Sequence, residues 1–161
     1  MIVDVGLLIE KFDSLEDILS RYGRLTNRLS AADIELIEET GSIFEERERL
    51  IEEMKVIKPQ ISELINRQTP DKAAAIRKML DGETIMSDFS EDEKAVQVKV
   101  INLRSLQSDI VQKDGGNKIR FKRKYDEIRE QLENLQKDKK KLNFYQGARL
   151  DIKGSQFDNQ S

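Results

Sequence analysis

Carboxylates, amines, guanidinium groups and hydroxyls are the only candidates for acid, base or nucleophilic chemistry in this chain, because its 161 residues include no cysteine and no histidine. Thiol nucleophiles, zinc sites built on Cys or His, Ser-His-Asp triads and a proton shuttle titrating near neutrality are thereby excluded. The densest acidic group is Glu45, Glu46, Glu48, Glu52 and Glu53, interleaved with Arg47 and Arg49. A di-iron bundle would pair such glutamates with a His three residues on. With none present, the group reads as a solvated helix face carrying weak ion pairs. No glycine-rich phosphate loop follows a predicted strand. The residue types therefore assign no catalytic group, no metal ligand and no cofactor, and they point to binding.

Two basic runs could make phosphate contacts: Lys118, Arg120, Lys122, Arg123 and Lys124, then Lys137, Lys139, Lys140 and Lys141. Asp126, Glu127, Glu130, Glu133 and Asp138 break up the stripe, and a pI of about 5.3 argues against general nucleic-acid affinity. The net charge of −3 hides an asymmetry. Residues 1–93 carry 12 basic and 22 acidic side chains, and residues 94–161 carry 16 and 9. The two halves are electrostatically complementary.

The elements that must position these groups are helical. Leu8, Phe12, Leu15, Leu19, Tyr22, Leu25 and Leu29 follow a three-four spacing that puts them on one stripe. The stripe stays in phase through Leu36, Ile43, Leu50, Met54, Ile57, Ile61 and Leu64, although Ser30 and Asp33 resemble a capping box. Either one helix runs to about residue 67, or a tight turn sits at 30–33. Pro59 predicts a kink. Thr69-Pro70-Asp71 predicts the start of a short helix ending near Asp81-Gly82, and Ser90 with Glu93 predicts the next start. From there the apolar phase runs through Val96, Val100, Leu103, Leu106 and Ile110. It resumes at Phe121, Tyr125, Ile128, Leu132, Leu135 and Leu142 beyond Gly115-Gly116. Ile110 and Phe121 are 11 residues apart, close to three helical turns, so the spacing favours a continuous helix across the glycines.

The expected fold is all-α, an elongated antiparallel hairpin or bundle of long amphipathic helices with a disordered C-terminal tail. Helices are expected at about 5–29, 31–67, 70–81 and 91–146 of one domain, with a polar tail from 147 to 161. As an unbroken hairpin folding near residue 79, the arms would span roughly 95 and 80 Å and set Gly41 near Gly115-Gly116. A shorter bundle with real turns at 30–33, 69 and 115 is the competing geometry. No apolar run approaches the ~20 residues of a membrane span, and no cleavage signature follows the apolar start. The expected location is cytoplasmic. The preferred partner surface is the end of the last helix, Ile128, Leu132, Leu135, Leu142, Phe144 and Tyr145, with Ile152 and Phe157 of the tail as added anchors. Adjacent Phe144 and Tyr145 cannot both face a narrow seam. A homodimer through the same seam is the alternative use of that face.

The run Leu29-Ser30-Ala31-Ala32-Asp33-Ile34-Glu35-Leu36-Ile37, followed by Glu45-Glu46-Arg47-Glu48-Arg49-Leu50-Ile51, resembles the second-helix pattern of flagellar export chaperones of the FlgN type. Lys139-Lys140-Lys141-Leu142-Asn143-Phe144-Tyr145, then a polar tail with Phe157-Asp158, is similar to the ends of bacterial members. The resemblance implies a small helical protein that holds hook–filament junction subunits and delivers them to the export apparatus. It would make Leu132, Leu135 and Leu142 substrate contacts and Tyr145 the docking residue. Gly115-Gly116 and the loop at 82–90 depart from the pattern.

Overall fold

A computed structural model describes residues 2–33, 36–83 and 90–158, without the side chains of residue 37 and of 148–158. The described residues form four helices: α1 Val5–Ala31, α2 Ile37–Asn66, α3 Pro70–Asp81 and α4 Glu91–Asp158. The fold is all-α. The chain divides into two compact units, Met1–Lys118 and Ile119–Ser161. The first holds α1 to α3 and the opening part of α4; the remainder of α4 belongs to the second.

In the first unit α1 and α2 run antiparallel. The backbone of Val3, just before α1, meets Gln68 just after α2, and Arg21 reaches Glu53 at 2.9 Å further along the pair. The first part of α4 lies parallel to α1. Lys99 pairs with Asp13 at 2.5 Å, a Cβ on Gly23 would sit 3.5 Å from Ile110, and Ser30 meets Asn117 at 2.9 Å. A two-arm hairpin would have set Gly23 far beyond Ile110; the first unit is instead a shorter bundle, with breaks after residues 31 and 66 but no turn at 115. α1 ends at Ala31, and Ser30 is its last turn rather than the cap of α2. The Ser30 hydroxyl lies within hydrogen-bonding reach of the Thr26 carbonyl and of Asn117 Oδ1.

The apolar stripes of three helices and α3 meet in one core. Ile2, Leu8, Phe12, Leu15 and Leu19 face Ile61, Leu64 and Ile65 of α2, Ala73, Ile76 and Met79 of α3, and Val96, Val100, Leu103 and Ile110 of α4. Pro59 sits inside α2 on its exposed side, where water can satisfy the carbonyl that its missing N–H would have bonded. α3 starts with Thr69 at the cap and Pro70 at the first position. It ends at Gly82 with φ +84°, while Glu83 N donates to Lys78 O at 2.9 Å and closes the last turn. Ser90 Oγ accepts from Glu93 N at 3.3 Å and caps α4. The Glu93 carboxylate, which a capping box would turn back on the cap, instead pairs with Lys72 of α3.

α4 passes through Gly115 and Gly116 without a break. A Cβ on either would have no atom within 4 Å, so neither glycine serves a close approach. Replacing both by Ala is therefore expected to stabilise the first unit by about 1 kcal/mol per site, read as a higher urea midpoint at unchanged slope. The helix continues to Asp158 through the segment whose composition suggested a polar tail.

Gln68 is the polar fastener of this unit. It is buried, its Oε1 accepts from Val3 N at 2.8 Å, and its Nε2 donates to Val3 O and Leu64 O at 2.7 and 3.0 Å. Gln68→Leu removes three bonds and leaves the Val3 backbone without its protein partner. The expected loss is about 1 to 3 kcal/mol in denaturant unfolding. Lys99 supplies a pH signature: the hydrogen bond that its ammonium donates to the Asp13 carboxylate raises its pKa above the ordinary lysine value of 10.5. A raised folded-state value means that the pair's contribution is fully present below pH 10.5 and is lost as pH climbs through the folded value. Alkaline unfolding of Lys99→Met should lack that component.

Candidate protein-binding surface

The site is built on the second unit, where the described residues all belong to α4. Tyr125, Ile128, Leu132, Leu135 and Leu142 follow steps of three and four residues, completed by Lys139 at the one polar position. Such a period keeps every position on one side of a helix. All five apolar residues are exposed, from 45% at Ile128 to 65% at Tyr125. The core stripe of α1 has the same kind of spacing, and there Phe12 is 1% exposed. The difference between the two stripes lies in what covers them. A run of large apolar side chains left in water on one helix face marks an interaction surface.

The basic and acidic side chains of this segment lie around the stripe in blocks. Arg120 to Lys124 are basic, Asp126 to Glu133 mostly acidic, and Lys137 to Lys141 mostly basic. Within the helix, Lys124 reaches Glu127 at 3.8 Å and Arg129 reaches Glu133 at 3.7 Å. Both pairs are long, and Arg129 and Glu133 are exposed as well, so the pairs contribute little to the helix.

Of the residues expected to bind a partner, Ile128, Leu132, Leu135 and Leu142 share the stripe. Phe144 and Tyr145 are exposed as well, at 73% and 66%. At 100° per residue, however, Phe144 falls on the opposite side of the helix and Tyr145 well off the stripe. Their rings pack edge to face, with centroids 6.0 Å apart and planes at 72°, an arrangement that aromatic quadrupoles favour. The two aromatics therefore form a feature of their own beside the end of the seam. Ile152 and Phe157 belong to α4, and their side chains lie outside the described residues.

Two arrangements in the first unit have no counterpart in the sequence reading. Arg47 of α2 stacks over the Tyr22 ring, 4.5 Å from its centroid, donates to the Tyr22 hydroxyl, and pairs with Asp114 of α4 at 2.7 Å. Beside it the buried Asn117 donates to Thr26 O at 3.3 Å and meets Ser30. This polar layer fixes the register of three helices, and each buried polar group in it has a partner. The second arrangement is a groove of about 500 Å³ between α1 and α2, where Arg21, Arg24, Arg28 and Arg49 alternate with Glu46 and Glu53 over Leu25 and Leu50. The spacing of three and four between Arg21, Arg24 and Arg28 was its visible signal. Arg21 is already held by Asp17 and Glu53 at 3.1 and 2.9 Å. On the acidic face of α2, Lys55 takes Glu52 at 2.8 Å. That is the ion-pair pattern of a solvated helix.

No family model, curated protein or solved structure matches this chain. The surface is therefore interpreted from its own chemistry. No helix among the described residues is long and apolar enough to cross a membrane.

Proposed function

We propose that this protein is a non-enzymatic helical binding protein whose distal α4 stripe takes an amphipathic helix of a protein partner. Within that class, we propose an export chaperone of the flagellar type acting in the cytoplasm. The observation that carries the reading is the exposed seam of Ile128, Leu132, Leu135 and Leu142. An amphipathic helix whose apolar face would aggregate if left free finds the missing half of a seam there, read by anchors three and four residues apart. Subunits that assemble through such helices are the cargo this surface suits. Support for the finer reading comes from the Asp-aliphatic and Glu-Arg-rich run of residues 29–51 and from the Lys-rich, aromatic end at 139–145. Tyr145, standing off the seam beside Phe144, is assigned to docking at the export apparatus, so that cargo and apparatus would use different sides of one helix.

The test is capture of hook–filament junction subunits, first from a flagellated bacterial lysate with identification by mass spectrometry, then with the purified subunit. The intact chain and a version truncated after Tyr145 are compared. Recovery of those subunits by both forms supports the reading and places the cargo site before residue 146. Recovery of nothing but self argues for a structural dimer, and recovery of proteins lost on nuclease treatment argues for a nucleic-acid-associated factor.

A further inference from the structure

On α1, Arg21, Arg24 and Arg28 stand three and four residues apart, which makes them a ladder of like charge along one side of the helix. No carboxylate lies three or four residues to either side of Arg24 or Arg28 to relieve it. The ladder occurs in the half of the chain where acidic side chains outnumber basic ones by 22 to 12, so composition does not account for it. Arg49 of α2 joins it across the groove of about 500 Å³. Other arginines of the first unit take carboxylates: Arg21 holds Asp17 and Glu53, Arg47 holds Asp114, and Arg67 holds Glu63. Arg24, Arg28 and Arg49 hold none among the described residues, although Glu46 lines the same groove. We propose that this groove binds an acidic peptide in extended conformation, one carboxylate held between Arg24 and Arg49 and the next at Arg28.

The antiparallel packing sets the spacing. Arg21 of α1 lies beside Glu53 of α2. Three residues forward on α1 and four back on α2 bring Arg24 and Arg49 to nearly the same level, one from each helix. Two guanidinium forks lining one space can share a carboxylate through charge-assisted hydrogen bonds. Arg28 follows one turn further along α1, about 6 Å away. Side chains at every second position of an extended peptide point the same way and repeat every 6.6 to 6.8 Å or so, so alternating carboxylates meet both anchor points.

The floor of the groove is Leu25 and Leu50, only 6% and 5% exposed. A ligand can therefore withdraw little further apolar surface from water, and recognition is by charge. Glu46 and Glu53 line the groove too and select among anions. A nucleic acid or an anionic lipid surface brings charge at every step and would press some of it against these carboxylates. A short peptide with alternating carboxylates carries charge only where guanidinium groups stand. The site belongs to the first unit, so it goes beyond the export reading and does not rest on it.

A fluorescein-labelled peptide of alternating glutamate and valine, titrated with the full chain at low ionic strength and followed by fluorescence anisotropy, is expected to bind. Its counterpart with glutamine in place of glutamate is expected not to, and added salt should weaken the complex. Arg24→Gln with Arg49→Gln should lower affinity by roughly tenfold or more. Arg24→Lys with Arg49→Lys keeps the charge without the forks and should restore only part of it. The substituted side chains are exposed, so urea unfolding of these variants should match the parent. Leu132→Glu with Leu135→Glu should leave peptide binding unchanged, which keeps the result separate from that of the distal stripe. Failure of the parent chain to bind, equal binding of the glutamine peptide, or undiminished binding by Arg24→Gln with Arg49→Gln overturns the proposal. Tighter binding of a labelled single-stranded oligonucleotide with the same arginine dependence would assign the groove to nucleic acid and overturn it as well.

Discussion

Phe12→Ala is expected to lower the stability of the first unit by about 3 to 5 kcal/mol, a large share of the roughly 5 to 15 kcal/mol of an ordinary domain. Phe12 is 1% exposed and belongs to the cluster that joins α1 to Ile61 and Leu64 of α2, Ile76 of α3 and Val96 and Val100 of α4. Truncation removes the transfer energy of the ring and leaves a cavity among the side chains of its cluster. The helices that carry them are tied independently, α1 to α2 through Gln68 and α2 to α4 through the Arg47–Asp114 pair. With its walls fastened, the site can collapse only in part, which places the loss toward the upper end of the range. Phe144→Ala is the control. That ring is 73% exposed, and its removal should change stability by less than about 0.5 kcal/mol. Urea unfolding followed by circular dichroism reads both. A loss below about 1 kcal/mol for Phe12→Ala would mean that α1 does not anchor the core as described.

Much of this fold was legible because helix signals are local. Thr69-Pro70 starts α3 and Gly82 ends it in a left-handed cap. Ser90 caps α4, and the 11-residue interval from Ile110 to Phe121 carried the helix phase across Gly115-Gly116, where the chain indeed stays helical. The turn between α1 and α2 was harder to locate. Apolar phase is preserved from Leu29 to Leu36, so periodicity alone gives no sign that the chain reverses there, and Ser30 looks like a cap although its hydroxyl serves Thr26 and Asn117. Pairing between helices was not legible either. Whether Gly23 faces Ile110 depends on side-chain volumes from separate helices meeting at one level, information that no single stripe contains. The same limit applies to the candidate surface. The four-three spacing of Ile128, Leu132 and Leu135 was visible, but a hairpin seam and an open binding face share that spacing. Only the exposure of those side chains, set against the burial of Leu8 and Phe12, separates the two.

Changing Leu132 and Leu135 together to Glu is expected to weaken capture of the partner helix by a factor of roughly 10² to 10⁴ while leaving the unfolding of the first unit unchanged. Each leucine that passes from water into an apolar seam contributes about 1.5 to 3 kcal/mol, and about 1.4 kcal/mol corresponds to a tenfold change in affinity. The two carboxylates add repulsion toward any partner that carries acidic residues beside its apolar face, and they sit next to Glu130 and Glu133. Folding should not register the change, because Leu132 and Leu135 are 54% and 62% exposed and glutamate is nearly as good a helix former as leucine. The contrast with Leu8 sharpens the test. Leu8→Ala, at 0% exposure, should cost about 2 to 5 kcal/mol of stability, whereas Leu132→Ala should cost almost none and still weaken capture. Calorimetric titration with a purified amphipathic partner helix, run beside urea unfolding of the same variants, reads affinity and stability independently. If the double Glu variant binds as well as the parent chain, the stripe is not the partner surface; if it unfolds the first unit, the stripe contributes to the fold rather than to recognition.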